Sequence, residues 1–268
     1  MKILFLGDVV GRSGRDAVCK FLPNARREYG LDFIVVNGEN AAAGFGITPA
    51  ICEEFFKAGV DIITTGNHVW DQQDIIPTLS REKRLLRPYN YPEGTHGTGL
   101  SVSSNAKGQT LVVLHLQGQV FMHEHLNCPF GAADAVLKQH ALGASANAIL
   151  VDFHAEANSE KNALGHYLDG RVSAVLGTHT HIPTADARVL ERGTAYQTDV
   201  GMCGDYNSCI GMEKSTVIPR FTSKITKGQR MTVASGPATI CGAIIETDDK
   251  TGLATAITPI KLGGVIGT

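Results

Sequence analysis

Residues 2–11, KILFLGDVVG, set a short apolar run against a Gly-Asp step. The same figure returns at residues 33–40, FIVVNGEN, and again at residues 61–68, DIITTGNH. Runs of this length, rich in Ile and Val and nearly free of polar alternation, read as strands buried on both faces. The segments between them read as helices. Residues 13–29 carry helical periodicity and are closed by Gly30, where a chain leaving a helix commonly turns left-handed. Thr48-Pro49 places a capping hydroxyl before a proline at the first helical position, and Gly59 ends that second helix. Strand–helix–strand alternation of this kind predicts an α/β protein built on a parallel sheet covered on both faces.

Working outward, residues 99–103 and 110–116 flank a turn at Asn105–Gly108 and predict an antiparallel hairpin. A helix over 132–142, a strand over 148–153, a helix over 159–168 and a strand over 172–176 come next. The remainder holds short β-like runs at 187–190, 194–198, 231–235, 239–246 and 254–260. A helix at about 212–222 interrupts them, and Pro219 within it weighs against regularity. No linker, low-complexity tract or long-period repeat divides the chain, so a single domain over 1–268 is expected.

Composition narrows the class. The 268 residues are 43% apolar and 19% charged, ordinary for a globular protein, and the formal net charge is −2. That balance argues against a sequence-independent nucleic-acid binder, which needs a basic face; no basic, aromatic-rich groove for long single strands is evident either. An anionic substrate must then be held locally, by metal or by a few donors. Asp8 interrupts the first apolar run too early for a signal peptide, and no stretch approaches the roughly 18 apolar residues of a membrane span. Six scattered cysteines without a Cys-x-x-Cys pair read as free thiols in a reducing compartment, so a cytoplasmic protein is expected.

The chemistry is carried by the residues just after each apolar run. Asp8 stands after the first, Glu39 and Asn40 after the second, and Asn67 and His68 after the third. His154 ends the strand over 148–153; His179 and His181 come after the strand over 172–176. In an open α/β sheet the C-terminal strand ends share one edge, and ligands bind there. Singly, each feature is better explained as a turn, a cap or a structural histidine; five such strand ends together point to one site. Carboxylate, amide oxygen and imidazole without thiolate suit iron, manganese or zinc. Asp8, Glu39, Asn40, Asn67, His154, His179 and His181 are too many donors for one ion and enough for two that share a carboxylate, for which centrally placed Glu39 is the candidate. Two ions about 3.5–4 Å apart clamp a phosphoryl group and generate hydroxide near neutral pH. His68, beside a ligand, is the candidate proton donor to the leaving alkoxide.

Other residues fit less well. His123-Glu124-His125 lacks strand-end placement and reads as a solvated loop or site rim. His115, inside an apolar strand, reads as a core or sheet-face residue, and His96, His140 and His166 have no partners in the pattern. Asp71 reads as a helix start, Asp199 as a turn in preference to a contact at the site's rim, and Arg12 and Arg15 equally as phosphate contacts or as a surface helix face. A dinucleotide-binding reading fails because Gly7-x-x-x-Gly11-x-x-Gly14 is not Gly-x-Gly-x-x-Gly; a phosphate loop fails for want of Gly-Lys-Ser/Thr.

The order Gly-Asp, Gly-Asn-His, lone His and His-x-His resembles the calcineurin-like metallophosphoesterases. More narrowly, Gly7-Asp8-Val9-Val10-Gly11, Asn37-Gly38-Glu39-Asn40-Ala41 and Gly177-Thr178-His179-Thr180-His181 resemble the YmdB-type branch, the 2′,3′-cyclic-nucleotide 2′-phosphodiesterases. Two departures from the wider superfamily suit that branch: Asp-x-His is here Asp8-Val-Val10, and the bridging carboxylate is Glu39. The resemblance implies a four-layer α/β/β/α sandwich with a di-iron centre, manganese or zinc being the alternatives. It implies that Asp8, Glu39, Asn40 and His181 hold one ion, that Glu39, Asn67, His154 and His179 hold the other, and that His68 donates the proton. A metal-bound hydroxide would attack a small cyclic nucleotide and leave a 3′-nucleotide. A homo-oligomer is also implied. The competing expectations are a phosphomonoesterase or nuclease, and a non-catalytic metal- or nucleotide-binding regulator.

Overall fold

The computed structural model describes residues 1–124, 126–223 and 230–267. Its first third keeps closely to the pattern: β1 (Lys2–Leu6), β2 (Asp8–Val9), α1 (Gly11–Glu28), β3 (Phe33–Asn37), α2 (Pro49–Lys57), β4 (Ile62–Thr64), α3 (Ile76–Arg81) and β5 (Leu85–Leu86). The hairpin forms as β6 (Leu100–Ser104) against β7 (Thr110–Gln117), antiparallel. Then come α4 (Pro129–Leu137), β8 (Ala148–His154), α5 (Asn158–Tyr167), β9 (Ala174–Thr178), β10 (Arg188–Val189), β11 (Ala195–Gln197), β12 (Met202–Cys203), α6 (Lys214–Thr222), β13 (Ile240–Thr247) and β14 (Ala254–Leu262).

Two elements differ from expectation, and a third forms despite its proline. The helix expected over 132–142 starts earlier, with Pro129 in its first turn, where no N–H is needed. The run over 231–235 builds no strand; Val233 makes a single bridge to Met212. Pro219 sits inside α6, and the helix nevertheless forms around it.

The strands make two six-stranded sheets, in the orders β14-β13-β1-β3-β4-β5 and β10-β11-β9-β8-β7-β6. In the first, β1, β3, β4 and β5 are parallel and β13 and β14 add antiparallel. In the second, β11, β9, β8 and β7 are parallel, with antiparallel β10 and β6 at the edges.

Side-chain alternation along each strand assigns the layers. On β1, Leu4 and Leu6 join Val18 and Leu22 of α1 and Phe55 of α2. Ile3 and Phe5 point the other way and share a core with Leu111, Val113, Leu150 and Leu176 of the second sheet. The far face of that sheet, through Val112, Leu114, Val151 and Phe153, packs on Ala133 and Val136 of α4 and Leu164 of α5. The result is the four-layer α/β/β/α sandwich. The strands are indeed buried on both faces, but one cover is a second sheet, not a helix layer, which an apolar run cannot distinguish.

The segment after β11 runs between the ends of the two sheets. Val200 N–H donates to the Gly177 carbonyl at 3.0 Å, and β12 pairs in parallel with β2. Its backbone lies so close that a methyl group on Gly7 would stand 1.8 Å from the Gly201 carbonyl oxygen, and one on Gly177 1.8 Å from that of Thr198. Glycine at both places is a steric requirement. All six cysteines are free thiols. Among the described residues no helix is long and apolar enough to cross a membrane.

Candidate metal centre

The ends of β1, β3, β4, β8 and β9 meet at one edge of the sandwich, so both sheets contribute. Asp8, Glu39 and His154 are buried and offer ligand atoms within 4.8 Å of one another. Around them, His154 Nε2 lies 2.5 Å from Glu39 Oε2, 3.1 Å from Asn67 Oδ1 and 3.0 Å from His179 Nδ1. On the other side His181 Nε2 lies 3.1 Å from Asn40 Oδ1. Glu39, Asn40, His154, His179 and His181 line one cavity; Asn67 reaches it through His154, and Asp8 accepts the His179 N–H at 3.1 Å.

Their hydrogen bonds fix which atoms face inward. Thr178 Oγ1 donates to Asp152 Oδ1 at 2.8 Å, so toward His154 Nδ1, 2.9 Å away, it can only accept. His154 therefore carries its proton on Nδ1 and turns the Nε2 lone pair into the cluster. His181 is set the same way, because Nδ1 faces the Ile210 carbonyl at 2.8 Å. His179 has Nε2 3.1 Å from Glu156 Oε2, leaving Nδ1 inward. Asn40 donates its amide to the Gly44 carbonyl at 2.9 Å, which aims Oδ1 at His181. Such outer partners orient metal-binding imidazoles and amides.

The inward atoms are therefore nearly all acceptors pressed on acceptors at 2.5–3.1 Å. Asp8 Oδ1 and Glu39 Oε2, both buried, make no hydrogen bond at all. Buried lone pairs facing one another without protons are costly unless a cation stands among them. The donor set of carboxylate, amide and imidazole fits such a cation.

The electrostatics agree. Burial, with Asp199 and Glu39 nearby, pushes the Asp8 carboxyl well above its ordinary range. Burial also raises Glu39. Burial lowers His154 strongly, lowers His181, and takes His179 down to about 3. Each shift disfavours the charged form, with burial as its largest cause.

His68 stands at the edge of this cluster. Its N–H donates to Glu39 Oε1 at 3.0 Å, and its Nδ1 is 2.8 Å from Asp71 Oδ2. Phe45 packs edge-on against the ring, centroids 5.1 Å apart. Asp71 is thus a partner of His68, not a helix start; the next helical turn begins at Gln73.

The residues missed from sequence are those that hold the others. Asp152 accepts from Thr178 and, at 3.1 Å, from Asn37. Asp199 is fully buried, pairs with Lys161 Nζ at 2.8 Å and accepts from Thr180 between the two histidines. Its contact with Thr180 matches the rim alternative and not the preferred turn; the signal available is its place just after an apolar run, as for Asp8. His115 lies in the core as expected, 3.3 Å from Asp152 Oδ2, below the cluster. Arg12 and Arg15 pair on the surface with Asp16 and Glu54. Gln117 donates to Glu124 at 2.9 Å; His125 lies outside the described residues.

Residues 4–260 match the family described as YmdB-like protein. The chain is 46% identical to the 2′,3′-cyclic-nucleotide 2′-phosphodiesterase of Bacillus subtilis over 98% of its own length and 97% of that protein. Among solved structures, a hypothetical protein from Thermus thermophilus superposes with a TM-score of 0.91 at 42% identity, covering 99% of this chain and 100% of that one. A novel phosphatase from Mycoplasma pneumoniae superposes with a TM-score of 0.90 at 33% identity, covering 98% and 93%.

Proposed function

Because the chain belongs to the YmdB-like family, we propose that it is a dinuclear-metal phosphodiesterase that opens small 2′,3′-cyclic nucleotides to 3′-nucleotides. The observation that carries this reading is the set of buried acceptors turned on one another at the strand ends, with Asp8 Oδ1 and Glu39 Oε2 lacking any hydrogen bond.

In this reading Asp8, Glu39, Asn40 and His181 would hold one ion, and Glu39, Asn67, His154 and His179 the other, with iron preferred and manganese or zinc as substitutes. The pair, when bound, supplies positive charge to the phosphoryl oxygens and lowers the pKa of a water molecule. The chain's own residues do the rest. Thr178, Glu156 and the Ile210 carbonyl keep three imidazoles in the tautomers that present lone pairs inward. Glu39 spans the cluster and also accepts from the His68 N–H, tying the proton donor to the site. Asp71 engages His68 Nδ1, so Nε2 is the nitrogen left to serve the substrate. A proton delivered there lets the 2′-oxygen depart as a hydroxyl, and the phosphate stays on the 3′-oxygen. A cavity of about 460 Å³ lies over His68, His154, His179 and His181, the size of one small ligand and not of a polymer.

Elemental analysis of the purified protein, with a screen of 2′,3′-cyclic, 3′,5′-cyclic and linear diesters, tests this. About two ions per chain and selective opening of the five-membered ring are expected. Undiminished turnover by protein stripped with a strong chelator would contradict it.

A further inference from the structure

The cavity over the candidate metal centre has a mixed lining. Beside the polar cluster, its wall includes Phe45, Ile210, Met212, Val217, Phe221 and Met231. Two of these side chains gain little from the fold itself: Phe221 is 81% exposed and Ile210 53%. Exposed large apolar side chains gathered at the mouth of a polar site mark a place where a ligand supplies the missing contact.

Ile210 is the more telling of the two. Cys209 N–H donates to the Met212 carbonyl at 2.9 Å, and Met212 N–H to the Cys209 carbonyl at 3.0 Å, closing a two-residue turn. Ile210 has φ +48° and Gly211 φ +95°, the positive pair of a type I′ turn. Asn, Asp or Gly suit the first of these positions; a β-branched residue there is strained. The Ile210 carbonyl has a structural task, since it orients His181 at 2.8 Å, but glycine would perform that task without strain. The isoleucine side chain therefore needs another reason to be there, and it lies in the cavity wall.

We propose that Ile210 and Phe221 form the nucleobase subsite, gripping the flat apolar base while the phosphate lies at the metal cluster. The proposal rests on the cyclic-nucleotide reading above and names the part of the protein that selects a nucleoside over any other cyclic diester. Continuity of the wall with His179 and His181 and the single-ligand volume commit the occupant to the base of the same substrate molecule. Purines, with the larger stacking face, bind better than pyrimidines.

Two variants test it on metal-loaded protein. Phe221→Ala lowers the ratio of kcat/KM for 2′,3′-cyclic AMP to that for glycerol 1,2-cyclic phosphate, which has the ring and no base, by about tenfold, base stacking on one aromatic being worth that much. Ile210→Gly raises KM for the nucleotide while raising the melting temperature, because strain is relieved as the contact is lost. Calorimetry with adenosine 3′-monophosphate and with inorganic phosphate provides a readout independent of turnover: both variants weaken the nucleotide several-fold more than phosphate. Base-dependent binding without turnover would support the subsite and overturn the reaction proposed above. Equal losses on both ligands, or unchanged nucleotide affinity in both variants, would overturn the subsite and leave the reaction standing.

Discussion

Asp199 holds Thr180 twice: its Oδ2 accepts the Thr180 N–H at 3.0 Å and the Thr180 hydroxyl at 2.8 Å. Thr180 lies between His179 and His181, whose φ angles of +105° and +67° are unusual for residues with side chains. The third contact on the same oxygen is Lys161 Nζ at 2.8 Å, and both partners are buried. The bend that lets two alternate histidines face one cluster is thus pinned by a buried ion pair.

Asp199→Asn removes the charge that balances Lys161 and loosens the bend. A loss of about 3–5 kcal/mol is expected, the cost of stranding one member of a buried pair. Urea unfolding measures it, and elemental analysis of the same sample shows fewer ions per chain. Adding Lys161→Met restores part of the stability but not the metal content. Recovery of both would show that Asp199 matters to the core alone.

His68→Ala leaves metal content at the wild-type level and lowers kcat by about 10²–10⁴, the range for a lost general acid. Asp71→Asn, which keeps the ring but weakens its orientation, costs about tenfold to a hundredfold. Both values come from steady-state turnover normalised to bound metal. Unchanged kcat in His68→Ala would remove it from the proton-donor role.

In the metal-free protein the buried imidazoles cost stability as pH falls, against the raised carboxyls of Asp8 and Glu39. His179 is held down to about 3 by burial, against an ordinary value near 6.5. In that window the unfolded chain binds the proton that the folded chain refuses, so this residue costs stability progressively as pH falls from about 6.5 toward 3. His179→Gln abolishes that contribution. Unfolding free energies of the two proteins, measured without metal at pH 7 and pH 5, should therefore shift in favour of the variant at the lower pH. A parallel pair of curves would refute the assignment.

The thiols sort by burial. Cys52 is pushed up to about 12 and Cys241 to about 11 by burial, Cys203 also rises well above its usual range, and Cys128 is exposed. At pH 8 a disulfide reagent labels Cys128 rapidly and leaves those three untouched until denaturant is added, since only thiolate reacts. Mass spectrometry of labelled peptides checks the order.

Much of this is legible in the sequence, for identifiable reasons. Strand-end residues such as Asp8 and Glu39 come directly after apolar runs, so position along the chain already predicts position in space. The helix caps, such as Thr48 with its hydroxyl 3.4 Å from Ile51 N–H, are recognisable by residue type. The hidden part depends on contacts between distant segments. Asp199 meets Thr180 and Lys161 only after the strands assemble, and nothing local separates it from a turn aspartate. Asp71 resembles a cap because a cap and a histidine partner use the same carboxylate. A strand covered by a sheet and one covered by a helix share one pattern, so the apolar runs alone leave the second cover open; the family resemblance implies a sheet there and the structure shows it.

The close passage of the 198–203 segment against Gly7 and Gly177 has a genetic consequence. Scanning mutagenesis that trims side chains to alanine searches for function by subtraction, and here it would meet addition instead. One methyl group at either glycine wedges apart backbones from two sheets and shifts the strand ends that carry Asp8 and His179, although no reactive group has been deleted. Loss-of-function alleles should therefore gather at residues that have no chemistry of their own.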